Sequence, residues 1–242
     1  MGNRVDKTYR SVLAWGVHLL TAGGALAGFM SVLAIVEERW VASLAWLMVA
    51  AAIDSFDGKL ARILRVKDVL PGFDGALLDN LVDYFTYVIV PALFLCKSGL
   101  LPDGFGLAGA AMIVLASAYQ FCQIDAKTAD HYFKGFPSYW NVLALYLFLL
   151  RWEPWLNFAV VTVFAALVFV PIKYLYPSRT RRLRRLTVTL AALWAASMIV
   201  LLAQYPEVPA GLLWGSFAFV AYYAGASVIL SMRDATQSGR RG

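Results

Sequence analysis

Two pairs of aspartates interrupt an otherwise apolar sequence. Asp54 and Asp57 are three residues apart, and Asp79 and Asp83 are four apart. On an α-helix either spacing puts both carboxylates on one face. The first pair ends one apolar stretch and the second opens the next, so the turn between them returns both pairs to one depth. Four carboxylates gathered there repel one another, and each is costly to keep charged beside hydrocarbon. Divalent cations remove both difficulties. Oxygen-only ligands favour Mg2+ or Mn2+, and four aspartates offer enough oxygens for two ions. Such a cluster suits charge that develops on a phosphate group, with a carboxylate at hand to take a proton from a hydroxyl.

Small residues are interleaved with the acids. Gly58 and Ala61 follow Asp57, and Gly75 precedes Asp79 by one helical turn. Their missing bulk leaves room beside the carboxylates for a large ligand to approach the backbone. Arg62 can neutralise a phosphate or brace an aspartate. Asp54 alone is compatible with a solvated helix end. Four acids at these spacings are not, because acids within membrane spans mark function.

The elements that must carry these residues are membrane helices. The chain has 242 residues, 61% hydrophobic and 15% charged, with a mean hydropathy of +0.67. Soluble domains are nearer half apolar and a quarter charged. A bilayer-crossing helix needs roughly 20 apolar residues. That length predicts spans near 14–36, 40–58, 78–97, 104–122, 138–152, 155–175, 187–204 and 211–231, with Pro171 kinking or ending the sixth. The expected fold is therefore an all-α polytopic bundle of about eight transmembrane helices, forming a single domain over residues 1–242.

Charge sets its direction. With the N-terminus inside, the inner segments carry Arg4, Lys7 and Arg10, the group Lys59, Arg62, Arg65 and Lys67, and Lys127 with Lys134. Lys173, Arg179, Arg181, Arg182, Arg184 and Arg185 lie there too, as do Arg233, Arg240 and Arg241. Only Arg39, Lys97 and Arg151 remain outside. This bias predicts cytoplasmic termini and an aspartate cluster at the cytoplasmic rim. The net charge of +6 then belongs to anionic lipid, not nucleic acid, and the run from Arg179 to Arg185 reads as a topology anchor. Cys96 and Cys122 fall at opposite ends of successive spans, too far apart to pair.

The string D-x2-D-G-x2-A-R followed by G-x3-D-x3-D resembles the motif of the CDP-alcohol phosphotransferase family. Asp54, Asp57, Gly58, Ala61, Arg62, Gly75, Asp79 and Asp83 fill every motif position. Twelve residues separate Arg62 from Gly75, a longer spacer than most of the family has. That spacer and the stretches His18–Gly24, Leu78–Val88 and Phe136–Asn141 look like the bacterial, choline-using branch of the family. The resemblance covers nearly the whole chain. It implies transfer of the phosphatidyl group of CDP-diacylglycerol to choline, giving phosphatidylcholine and CMP, in the bacterial inner membrane. It also implies Mn2+ or Mg2+ as cofactor, two ions per site, and a possible homodimer. By the same resemblance Asp54, Asp57 and Asp79 bind metal, and Asp83 binds metal or takes the proton of the choline hydroxyl. Gly58, Ala61, Arg62, Gly75 and Thr21 would line the CDP-lipid.

Choline carries a permanent cation, which aromatic faces recognise. Tyr87, one turn after Asp83, is the leading candidate; Tyr84, Tyr119, Tyr139 and Trp140 are further ones. A phosphorylated acceptor is disfavoured, since the third span offers no Lys or Arg before Lys97. Serine is a sibling acceptor. An ion-coupled transporter is the rival from another class, but it would hold its acids at mid-membrane. The polar run from Gln120 to Lys134 is as readily a solvated loop as a pocket wall, and His18 reads as a packed histidine.

Overall fold

The computed structural model describes residues 2–123, 132–175 and 184–238. Its first helix, α1, runs over Gly2–Val36, and a turn through Glu37–Arg39 reverses the chain into α2, Trp40–Ile63. The two helices pack along one another. Ser31 Oγ donates to the Ser43 carbonyl oxygen at 2.9 Å and lies 2.8 Å from Ser43 Oγ. In a bilayer, small side chains of this kind let backbones approach and lend hydrogen bonds between helices.

The chain then passes through a single turn, α3, Val66–Val69, before α4, Gly75–Asp83. Asp74 caps α4, its Oδ1 accepting from the Ala76 and Leu77 N–H groups at 3.1 and 3.0 Å. A π-helical turn, Tyr84–Ile89, follows directly and leads into α5, Val90–Lys97. The third predicted span is thus one helix with a change of hydrogen-bond register, a feature common at functional sites.

Helix α6 covers Gly106–Cys122, α7 Trp140–Leu150 and α8 Pro154–Leu167. Glu153 caps α8 through Oε2, with Pro154 at the first helical position, where its missing N–H is not needed. Helices α9, Arg184–Ala203, and α10, Ala210–Ser238, complete the bundle. One departure from the all-helical expectation is a two-stranded antiparallel ribbon, β1 Tyr132–Lys134 with β2 Lys173–Leu175. It shortens the sixth predicted span. The Phe136 N–H donates to the Leu167 carbonyl at 3.1 Å and the Gly135 N–H to that of Ile172 at 2.9 Å, so the chain leaves the helix before Pro171.

Among the described residues, four helical segments are long and apolar enough to cross a membrane: Thr8–Val36, Trp40–Ile63, Gly75–Lys97 and Arg185–Ala203. Helices α6, α7 and α8 are shorter and also apolar. Large apolar side chains such as Leu19, Leu107, Leu115 and Leu193 face outward, as lipid-facing residues do. The chain is a multi-pass membrane protein. Its core centres on α7, with Trp140, Phe94, Leu95 and Ile113 fully enclosed. Polar clips tie the outer helices. Trp194 Nε1 donates to Tyr146 Oη at 2.8 Å, and that hydroxyl lies 2.9 Å from Ser216 Oγ, joining α7, α9 and α10. Both cysteines are free.

The polar stretch from Asp125 to His131 and the basic residues 179–182 lie outside the described residues.

Candidate functional site

The motif residues sit on α2 and α4, and α1 is the surface against which both are fixed. Gly24 and Gly28 of α1 face α4 and the π turn across a tight contact. A Cβ at Gly28 would lie 2.7 Å from Phe85 Cε1 and 2.9 Å from Thr86 Cγ2, and one at Gly24 would lie 3.0 Å from Val82 Cγ1. The Gly28 separation is closer than real Cβ atoms come and the Gly24 one is tight, so this pair of glycines, four apart, lets the backbone of α4 and the π turn lie close against α1.

That docking brings the two halves of the motif together. Asp54, Asp57 and Asp79 each present a carboxylate oxygen within 4.8 Å of the others. Asp57 is only 4% exposed, while Asp54 and Asp79 are half-buried. Three carboxylates at this separation, one enclosed, form an all-oxygen donor set for a hard divalent cation. The three carboxylates could together hold a metal ion. Asp83, the fourth predicted ligand, lies one turn further along α4 and falls outside this group; it is half-buried and close enough to Tyr87 to interact electrostatically. The cluster therefore divides into three converging carboxylates and one beyond them.

Tyr87 joins the site directly. Its hydroxyl donates to Asp54 Oδ2 at 2.8 Å, a short bond to a charged acceptor of the kind that orients metal ligands. The π turn between Asp83 and Tyr87 belongs to the segment that delivers this ring.

The small motif residues are used differently from one another. Gly75 has no room for a side chain because His18 occupies it. A Cβ there would lie 2.5 Å from His18 Cε1. The imidazole is 7% exposed, packs on Phe73 at 4.4 Å and on Trp15 at 5.8 Å, and its Nε2 has no hydrogen-bond partner among the described residues. His18 is a packed histidine, as its sequence context suggests, and it locks the start of α4 to α1. Gly58 lies under the Arg62 guanidinium, with Nη1 3.3 Å from where a Cβ would be, and Arg62 itself is exposed. Ala61 packs in a small cluster with Ala14, Val17 and Val66. Thr21 is buried and returns its hydroxyl to the Val17 carbonyl at 3.3 Å.

The other predicted aromatics separate clearly. Tyr139 lies beside Tyr87, with ring centroids 6.0 Å apart. Tyr84 turns away to α6, donating to the Val114 carbonyl at 3.1 Å and packing on Phe121. Tyr119 is 47% exposed and rests on Phe169. Trp140 is wholly enclosed, packs edge-on to Phe136 and donates its indole N–H to Ser117 Oγ at 2.7 Å. Trp140 is a core residue. Sequence reasoning missed Asp74, whose position just before Gly75 is a capping signal, and Tyr223 on α10, whose ring lies 6.3 Å from that of Tyr139.

Comparison with known proteins agrees with this geometry. The sequence profile of the family described as CDP-alcohol phosphatidyltransferase matches residues 18–172. The chain is 41% identical over 223 residues to a phosphatidylcholine synthase of Pseudomonas aeruginosa, covering 91% of this chain and 93% of that protein. It is 43% identical over 226 residues to a phosphatidylcholine synthase of Legionella pneumophila, covering 87% and 88%. A phosphatidylcholine synthase of Borreliella burgdorferi is 36% identical over 194 residues, covering 80% and 83%.

Proposed function

The chain belongs to the CDP-alcohol phosphatidyltransferase family, and from that premise we propose that it transfers the phosphatidyl group of CDP-diacylglycerol to choline, releasing CMP and phosphatidylcholine. The observation that carries this reading is the meeting of Asp54, Asp57 and Asp79 within 4.8 Å, drawn from both halves of the family motif. Support for choline comes from the names of the relatives and from the tyrosine faces beside Asp54.

In the proposed reaction the choline oxygen bonds to the phosphorus that bears the diacylglycerol. The bond from that phosphorus to the CMP oxygen breaks, and CMP departs with the electron pair. Asp54, Asp57 and Asp79 would hold Mg2+ or Mn2+, with two ions the expected number. When bound, these ions neutralise negative charge on the diphosphate and on departing CMP. Asp83, beyond the three ligands, takes the proton of the choline hydroxyl, since an alcohol is a poor nucleophile until a positioned carboxylate accepts its proton. Arg62, exposed one turn after Gly58, offers its guanidinium to the diphosphate. Tyr87 holds Asp54 in its ligating orientation.

The site lies at the cytoplasmic rim of a bacterial inner membrane in this reading. A lipid donor enters sideways from the bilayer there while a soluble acceptor arrives from the cytosol. Purified protein in detergent with CDP-diacylglycerol, Mn2+ and labelled choline tests it. CMP release that depends on choline is expected. Release with serine alone redirects the acceptor, and ion flux without turnover, once the protein is reconstituted in sealed vesicles, returns the transporter reading.

A further inference from the structure

A quaternary ammonium has no N–H to donate, so protein holds it with the negative faces of aromatic rings, within about 6 Å of their centroids. Next to the carboxylate cluster three tyrosines from three elements stand in a row. Tyr87 of the π turn lies 6.0 Å from Tyr139 at the start of α7, with 49° between their planes. Tyr139 lies 6.3 Å from Tyr223 of α10, with 59° between planes. At these tilts neither pair is stacked face to face, so the rings do not cover one another's faces. A cation between two such neighbours can lie within about 5 Å of both centroids, well inside the range for attraction. All three residues are partly buried and so shielded from bulk water.

The row is braced at both ends. Tyr87 donates to Asp54 Oδ2 at 2.8 Å, which fixes its ring and adds electron density to it. Tyr223 is backed by Phe219 at 6.3 Å, and Phe219 by Trp194 at 5.8 Å. Tyr139 follows Ser138, a buried non-glycine residue held at φ +57°. Such a backbone conformation is disfavoured and persists only where its surroundings demand it. Two carbons separate the nitrogen of choline from its hydroxyl, so a cation over Tyr87 and Tyr139 leaves that hydroxyl beside the carboxylates next to Tyr87.

Resting on the function proposed above, we infer that Tyr87, Tyr139 and Tyr223 form the cation-binding wall of the acceptor subsite, with Tyr223 a specificity-determining residue contributed by α10. The family profile ends at residue 172, so α10 lies beyond the shared segment. The catalytic carboxylates belong to the shared part, and the choice of acceptor is completed by a helix outside it.

The test uses the full-length protein in detergent. Tyr223→Leu raises the choline KM about tenfold, equivalent to about 1.4 kcal/mol, and leaves the KM for CDP-diacylglycerol unchanged. Tetramethylammonium, a cation without a hydroxyl, competes with choline in the wild type, and its Ki rises in step with the choline KM. Tyr223→Phe keeps the ring face and restores both values. Tyr139→Leu gives the same choline-specific split, so the inference stays testable if Tyr223→Leu folds poorly. An unchanged choline KM in Tyr223→Leu overturns the inference, as does an equal rise in both substrates' KM or a failure of tetramethylammonium to compete. A wild type that releases no CMP with choline overturns the proposed function and this subsite together. Choline turnover with an indifferent Tyr223→Leu removes the subsite alone.

Discussion

Adding one methyl group at Gly75 should cripple the enzyme without touching a carboxylate. The new Cβ would lie 2.5 Å from His18 Cε1 and 3.2 Å from Nδ1, where ordinary contact begins near 3.4 Å. One side must therefore retreat by about 0.9 Å, the difference between 3.4 and 2.5 Å. The imidazole has little freedom, being 7% exposed and packed between Phe73 and Trp15. Helix α4 must take much of the shift, and it carries Asp79 one turn further on. Overpacking of this kind costs about 1–3 kcal/mol of stability, and a displacement near 1 Å at a reacting centre costs on the order of 10²-fold in rate. Gly75→Ala is thus expected to lower kcat/KM for CMP release by roughly 10–100-fold, the upper figure being that for the full displacement. The deciding assay is a double-mutant cycle with His18→Ala, which removes the obstructing ring. The double variant should recover at least about 1 kcal/mol of coupling relative to the singles, in both turnover and thermal unfolding. Full activity in Gly75→Ala, or a double variant no better than the single, refutes the steric reasoning.

Asp83→Asn is expected to abolish turnover while cation binding persists, because Asp83 lies outside the three converging carboxylates; Asp79→Asn loses both, as Mn2+ titration with parallel CMP assays will report. Tyr87→Phe removes the hydroxyl that donates to Asp54. It should weaken cation affinity about 10–100-fold, the usual consequence of losing a partner that orients a metal ligand, read as a shifted half-saturation in a metal titration. Trp140→Phe strands Ser117 Oγ in the core and should reduce stability by about 1–3 kcal/mol. It should leave the choline KM unmoved, separating this core aromatic from the tyrosine row.

The parts of this molecule legible in the sequence are those set by local periodicity. Spacings of three and four residues put the aspartates on helical faces, and continuous apolar stretches located the helices. What escaped depends on contacts between distant segments. The π turn at Tyr84–Ile89 leaves no compositional trace in a run of apolar and aromatic residues. It is also where Tyr87 departs from simple facing of Asp83 to reach Asp54 on α2. Trp140 is a choline-binding candidate by sequence and a core residue in the fold, because its burial comes from contacts such as Phe136 and Ser117, the latter on α6. Pro171 signalled the end of α8, but the ribbon that ends it earlier pairs residues some forty positions apart. Gly75 was read as room for a ligand, whereas His18 fills that room. Tyr223 stands far from every motif residue in the sequence and is beside Tyr139 only in the fold.

The central claim is that Asp54, Asp57 and Asp79 together hold the divalent cation on which phosphatidyl transfer depends. Electron paramagnetic resonance of Mn2+ added to the purified protein, with choline-dependent CMP release followed in the same samples, tests it most directly. Wild type should bind Mn2+ and turn over, and Asp57→Asn should lose both while keeping its helical content. Turnover by wild type in excess chelator, or an Asp57→Asn protein that still binds Mn2+ and releases CMP, would contradict the account.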